Sequence, residues 1–421
     1  MLESSFLLLG LTIVAGFFSL MFFERTKIPD VLLLMAMGVL VGPVFKLVDT
    51  NLLAGFAPFL GGIALIVIMF DGGMNLNIKR VLGELAPASA FTLGVFLATA
   101  GLTTIIMSLA FNWPLLAGLL LGVIVGGTSS NIVIPIVCRL NVSDSAKMLL
   151  NLEAALTDAL CIVFAITLIA FMNAQTIDAS TVANSLIGSF AIAGLIGGLA
   201  GLAWLRILRI LEGKEFAYML TLAALFILYA IIEGVKANGA IGILLFGLIV
   251  GNAGFLLPNG EKKPLDYVLR GFQSEVSFFV RTFFFVYLGI IFNLSAVTES
   301  VLIISMAVLV GIFLARFFVT RAFTKVQSYF RPYQTIITTM MPRGLAAAVL
   351  AGLPAANGIS IPNFQEVVFL LIVLTNLVAT VGAMLYKPPE ESAARPRVVS
   401  ASSSGSAPNP ADTKADGQQA S

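Results

Sequence analysis

Residues 122–137 read GVIVGGTSSNIVIPIV, an apolar run broken at its centre by Gly126, Gly127, the polar string Thr128-Ser129-Ser130-Asn131 and then Pro135. Proline removes a helix hydrogen bond, and glycine lowers helix propensity. Residues 338–352, TTMMPRGLAAAVLAG, are broken in the same way by Pro342, Arg343 and Gly344. Backbone groups freed by such breaks are tolerated at membrane depth only inside protein or against a cavity. Two broken spans at corresponding places in two halves of a chain point to a binding site where they meet.

The composition around these stretches suits lipid. The chain has 421 residues, of which 59% are hydrophobic and 11% charged. A soluble domain carries about 25% charged residues. A spanning helix needs roughly 20 mostly apolar residues. Division at charged and Pro/Gly/Asn clusters predicts thirteen spans: 5–23, 30–45, 52–72, 86–111, 115–138, 146–172, 182–205, 216–233, 238–256, 275–295, 299–320, 334–355 and 364–386. The broken spans are then the fifth and the twelfth. An odd offset of seven gives the two copies opposite topology, so spans 1–6 and 8–13 form an inverted repeat with span seven between them. The expected fold is an all-α polytopic membrane protein. Residues 1–386 form the membrane unit, and the Ser/Ala/Pro-rich segment 387–421 reads as a disordered tail. That tail is too short for a soluble regulatory domain. The first apolar run has neither a basic leader nor a small-residue cleavage site after it, so no cleavable signal is expected. Cys138 and Cys161 lie in apolar runs and read as small core residues. With no histidine, the common zinc centres are not expected.

Basic residues orient the spans, because cytoplasmic loops collect Lys and Arg. Under thirteen spans nearly all of them fall on one side, from Arg25 and Lys27 through Lys79, Arg80, Lys214, Lys262 and Arg316 to the tail. Lys46 and Lys236 fall on the other. The N-terminus is therefore expected outside and the tail in the cytoplasm.

Ionisable groups within spans are costly and mark function or pairing. Asp71, Glu153, Asp158, Arg281 and Arg343 are of this kind, while Glu233 at a span end reads as interfacial. Glu153 and Asp158 share span six, in LLNLEAALTDALCIV (149–163). At about 100° per residue they point roughly 140° apart. They do not make a close pair on one ion. Asp158 suits a cavity, and Glu153 suits a buried ion pair with a neighbouring helix.

Several segments, taken in order, resemble the cation:proton antiporter superfamily, and most closely its NhaP-like sodium/proton branch. EAALTD (153–158) is similar to the motif that ends in the ion-binding Asp, with Thr157 where Asn is usual and Ala154 where a Ser ligand often stands. TSSN (128–131) resembles the unwound Thr-Asp-Pro segment, with Ser129 in place of the acid. MFDGG (69–73) resembles a Phe-Glu-Gly-Gly stretch, with Asp71 in place of Glu. VRTFFFVYLG (280–289) and MPRGLAAAV (341–349) resemble the arginine-bearing spans ten and twelve.

The resemblance implies a six-helix core beside a dimerisation domain, elevator-like movement and a homodimer in the cell membrane. It implies that Asp158 carries cation and proton alternately. Asp71, Thr128, Ser129 and Thr157 would complete the cation site, with Na⁺ held chiefly by Asp158, Asp71 and Thr128. It also implies that Glu153 pairs with Arg343 and that Arg281 lies near enough to influence the site. One carrier carboxylate suggests electroneutral one-for-one exchange. The ligands missing at Ser129 and Ala154 leave K⁺ beside Na⁺ or Li⁺ as the ion, and a potassium/proton antiporter or potassium-efflux transporter as the alternative. No cofactor, nucleic acid or enzymatic activity is expected. No filter such as TVGYG marks a channel, and Asp71 and Asp158 lack the context of an intramembrane aspartyl protease.

Overall fold

The computed structural model describes residues 2–26, 28–47, 57–76, 86–173, 179–211, 214, 216–256 and 264–386. The tail 387–421 and basic residues such as Lys27, Lys79, Arg80 and Lys262 lie outside the described residues.

The described chain is helical throughout. Helix α1 is Leu2–Thr26, and α2 is Asp30–Val39, which runs on into a π-helical turn at Leu40–Val44. Pro43 lies in that turn, where its missing N–H removes one ordinary helix bond. Then follow α3 (Ala57–Asn75), α4 (Ala86–Ala110), α5 (Leu115–Ile124), α6 (Ser130–Arg139), α7 (Asp144–Asn173) and α8 (Ala179–Ile210). The second half holds α9 (Ala217–Gly234), α10 (Gly239–Gly251, with a further turn at Ala253–Leu256), α11 (Pro264–Ile291) and α12 (Glu299–Val326). It closes with α13 (Gln334–Thr339), α14 (Leu345–Ala356) and α15 (Phe364–Leu385).

Each expected span has a helical counterpart, with α5 and α6 forming the broken fifth and α13 and α14 the broken twelfth. Among the described residues, six helices are long and apolar enough to cross a membrane unaided. Their neighbours are shorter apolar helices. Two boundaries differ most from expectation. Helix α11 begins at Pro264, not near 275, and α12 runs on to Val326. Both extensions carry charges, such as Asp266 and Lys325. The sequence reading stopped each span at its charges, but a helix continues past the hydrocarbon edge when its flank is charged.

The packing shows the inverted repeat. Helix α2 packs along α11, and α3 along α10, so spans two and ten are matched by spans nine and three. Both contacts rest on glycine. A Cβ on Gly38 would lie 2.2 Å from the Val286 carbonyl oxygen, and one on Gly247 would lie 2.5 Å from that of Phe70. Small residues let apolar helices approach backbone to backbone. Helix α8 also packs on α10, while α4 packs on α5, α7 and α12. The helices therefore fall into two groups. They meet chiefly where α3 and α11 of one group approach α7 and α14 of the other.

Candidate functional site

The site is built where the two broken spans cross. After α5 the chain turns at Val125-Gly126 and runs through residues 127–129 before α6 begins at Ser130. Space forces glycine here, because a Cβ on Gly127 would lie 2.7 Å from the Cys161 sulfur on α7. The twelfth span is interrupted between Thr339 and Leu345. The two breaks bond to each other, with the Ser129 N–H donating to the Pro342 carbonyl at 2.9 Å. Helix α15 serves the second break. Thr375 Oγ1 accepts from the Arg343 N–H at 3.1 Å, and Asn376 Nδ2 donates to the Arg343 carbonyl at 2.7 Å. The polar groups freed by unwinding are thus met inside the protein, as a low-dielectric setting demands. Thr375 and Asn376, a polar pair inside an apolar span, were a readable signal that the sequence reading passed over.

Asp158 projects from the middle of α7 against the start of α6. Its Oδ2 accepts two hydrogen bonds from Ser130, from the backbone N–H at 3.1 Å and from Oγ at 2.7 Å. The first N–H groups of a helix have no partner within it, and that end carries positive partial charge. The carboxylate therefore lies where a helix N-terminus favours an anion.

A cleft opens over this point. It is lined by Asp71, Gly72 and Asn75 of α3, by Ser129, Ser130 and Asn131, by Asp158 and Ala159 of α7, by Ser277 of α11, and by Leu345 and Ala346 of α14. Asp71 Oδ1 accepts from Asn75 Nδ2 at 3.1 Å. Two carboxylates, several hydroxyls and amide oxygens in one cleft form a hard-oxygen set suited to an alkali or other hard cation.

Of the residues expected to bind a cation, Asp158, Asp71 and Ser129 line this cleft. Thr128 and Thr157 have their side chains spent behind it. Thr157 Oγ1 donates to the Glu153 carbonyl at 2.8 Å and accepts from the Thr128 N–H at 3.0 Å, pinning the unwound strand to α7. Thr128 Oγ1 donates to Glu153 Oε1 at 3.2 Å and accepts from Arg343 Nη1 at 3.2 Å. Ser130 and Ser277 are the hydroxyls that the sequence reading did not place at the site.

The expected Glu153–Arg343 pair is corrected. Glu153 is paired with Arg316 of α12 in a bidentate contact, Nη1 to Oε1 and Nη2 to Oε2, the latter at 2.8 Å. Arg316 Nε also donates to the Ile337 carbonyl in α13 at 2.7 Å. Arg343 reaches Glu153 through the Thr128 hydroxyl. The reason for the difference is depth. Arg316 was counted among the cytoplasmic loop charges, yet it lies ten residues before the end of α12, about 15 Å inside the helix at 1.5 Å per residue. Both partners of the pair are 0% exposed. A buried ion pair with its remaining donors satisfied avoids the cost of a stranded charge.

Arg281 is likewise engaged away from the cleft. Its Nη2 lies 3.0 Å from Asp30 Oδ2, joining α11 to the start of α2. Asp30, buried beside Pro29, was not singled out from the sequence. Glu233 accepts the Gly239 N–H at 2.8 Å and ties the end of α9 to the start of α10.

Comparisons with known proteins agree with this architecture. The profile of a family described as "Sodium/hydrogen exchanger, transmembrane" matches residues 10–386. The sodium/proton antiporter 1 of Methanocaldococcus jannaschii is 28% identical over 325 residues, covering 73% of each chain. A K⁺/H⁺ antiporter NhaP2 of Shewanella oneidensis is 30% identical over 260 residues, covering 59% of this chain and 44% of that protein. The chain therefore spans less than half the length of that potassium/proton relative. A solved structure of the Methanocaldococcus jannaschii antiporter superposes with a TM-score of 0.74 at 23% identity, covering 90% of this chain and 100% of that one.

Proposed function

The chain belongs to the sodium/hydrogen exchanger family, and on that premise we propose that it exchanges one monovalent cation for one proton by alternating access, with Asp158 as the carrier. As a multi-pass protein of the cell membrane it needs no cofactor for this, since the cation and the proton are both substrates. The observation that carries the reading is the setting of Asp158. It is the carboxylate at the crossing of the broken spans, in a cleft that also holds Asp71.

The mechanism follows from competition. A cation and a proton both neutralise the Asp158 carboxylate through the same oxygens, so occupancy by one excludes the other. Desolvation penalises a bare charge, so the carrier group moves between the two faces when Asp158 holds either ligand and stays when it holds none. One carboxylate, one charge and one ligand give electroneutral exchange. The moving part is the group containing α4 to α7 and α12 to α15, sliding against α3 and α11. The other group would form the face of a homodimer.

Sodium, with lithium as its congener, is the ion we assign. Potassium is the second reading, favoured by a specific observation. The hydroxyls of Thr128 and Thr157 point away from the cleft into the buried network. That leaves fewer side-chain oxygens for a small ion, and relatives named as K⁺/H⁺ antiporters match the chain too.

The test is exchange in proteoliposomes with an imposed pH gradient and a pH-sensitive dye. Na⁺, Li⁺ and K⁺ are added in turn to wild type and to Asp158→Asn. Cation-dependent proton movement in wild type, lost in a variant that still inserts and folds, is the expected result. Full cation-coupled proton flux in Asp158→Asn would overturn the carrier assignment. A response to K⁺ alone would keep the mechanism and change the ion.

A further inference from the structure

We propose that Ser130 is a specificity-determining residue of the exchange, its hydroxyl acting as a lock on the cation-free Asp158 and as a ligand to the bound cation. This rests on the antiport reading above.

Three observations meet at this residue. The Ser130 hydroxyl donates to Asp158 Oδ2 at 2.7 Å, while the Ser130 backbone N–H donates to the same oxygen at 3.1 Å. Ser130 also lines the cleft beside Asp158 and Asp71. Finally, the two threonine hydroxyls near the carrier are committed. Thr157 holds the Thr128 backbone, and Thr128 holds Glu153.

The two donors differ in what they can do next. A backbone N–H has no lone pair to offer and cannot turn round. A hydroxyl has one hydrogen and two lone pairs, and its hydrogen rotates to suit its surroundings. With the site empty, both donate to the carboxylate, and the start of α6 compensates its charge. A cation arriving at Asp158 repels the hydroxyl hydrogen and attracts the oxygen. The O–H rotates away from Oδ2 and presents a lone pair to the ion. The backbone N–H stays on Oδ2 and keeps α6 aligned. Cation binding thus exchanges one hydrogen bond for one metal–oxygen contact on the same atom, with no movement of the chain. A smaller cation approaches that oxygen more closely and gains more from it, because electrostatic attraction rises as distance falls. The Ser130 hydroxyl therefore biases the site toward Na⁺ over K⁺.

The experiment is cation binding to the purified full chain in detergent by calorimetry, with NaCl and KCl as probes, for wild type, Ser130→Ala and Ser130→Thr. Ser130→Ala loses both the hydrogen bond of the empty site and the ion contact that replaces it, and their difference in favour of the ion is expected to weaken Na⁺ binding by about tenfold and K⁺ binding less. Ser130→Thr keeps a hydroxyl and is expected to stay within about threefold of wild type. Unchanged Na⁺ and K⁺ affinities in Ser130→Ala would overturn the proposal and leave Ser130 a helix-start residue only. Loss in Ser130→Thr equal to that in Ser130→Ala would overturn it as well, since shape and not the hydroxyl would then be responsible. Binding is measured apart from transport. Failure of wild type to exchange in proteoliposomes would sink the antiport reading, while the calorimetric comparison decides the role of Ser130.

Discussion

Arg316 is the residue on which the buried part of the site depends. Its guanidinium holds Glu153 through both oxygens and the Ile337 carbonyl through Nε, so α7, α12 and α13 meet on one side chain. Arg316→Met would leave the Glu153 carboxylate with only the Thr128 hydroxyl, in a position of no exposure. Stranding one member of a buried pair costs about 3–5 kcal/mol, whereas replacing both members with apolar groups is often close to neutral. Arg316→Met is therefore expected to lower the thermal midpoint in detergent sharply. The double variant Glu153→Leu/Arg316→Met should recover much of the loss. A double variant as unstable as the single one would show that the pair is not what holds these helices. The sequence made Glu153 legible, because a carboxylate in LNLEAAL has no place in lipid. Its partner was not legible. Arg316 stands in FLARFFVTR, where a helix running to the membrane edge and one running past it look alike. Ser130 was hidden for a different reason. In the string Thr128-Ser129-Ser130-Asn131 nothing local says which hydroxyl meets Asp158, because that depends on where α6 restarts.

At the scale of elements, the crossing of the broken spans was the most readable feature, since Gly and Pro in an apolar run have few structural uses. The partners of the freed backbone were less readable, as they come from α15 and from the opposite break. Gly344 tests the crossing directly. A Cβ there would lie 2.2 Å from Ser129 Oγ and 2.7 Å from Ser129 Cβ. The hydroxyl could rotate aside, but the Cβ could not, because the Ser129 N–H is tied to Pro342. Overpacking of this kind costs roughly 1–3 kcal/mol where the backbone can shift, and more where it cannot. Gly344→Ala is expected to reduce the yield of monodisperse protein by size-exclusion chromatography and to impair exchange. Gly344→Ala/Ser129→Gly, which empties the contested space, should restore both in part. Without that restoration, the contact between the two breaks would not be the source of the defect.

At the scale of the whole molecule, the arrangement of basic residues proposes an orientation with the N-terminus outside, and α9 offers a test of it. This helix runs Ala217–Gly234, about 27 Å at 1.5 Å per residue, with Lys214 before it and Lys236 after it. Both lysines are exposed. They fall on opposite sides in the thirteen-span reading, and Lys236 is one of two basic residues on the sparse side. Moving Arg316 from the loop count into the membrane removes one charge from the crowded side, and the asymmetry that orients the chain survives. The native thiols interfere little, because Cys161 is buried and Cys138 can be replaced by Ala beforehand. In that background, Lys236→Cys should react with a membrane-impermeant maleimide in intact cells. Lys214→Cys should react only after the membrane is opened. The reverse pattern would turn the protein over and place the 387–421 segment outside. Labelling of both from one side would mean that α9 does not cross. Because the two broken spans are offset by seven, a span lost between them would make the offset even, so that last result would also remove the antiparallel relation between the halves on which the crossing depends.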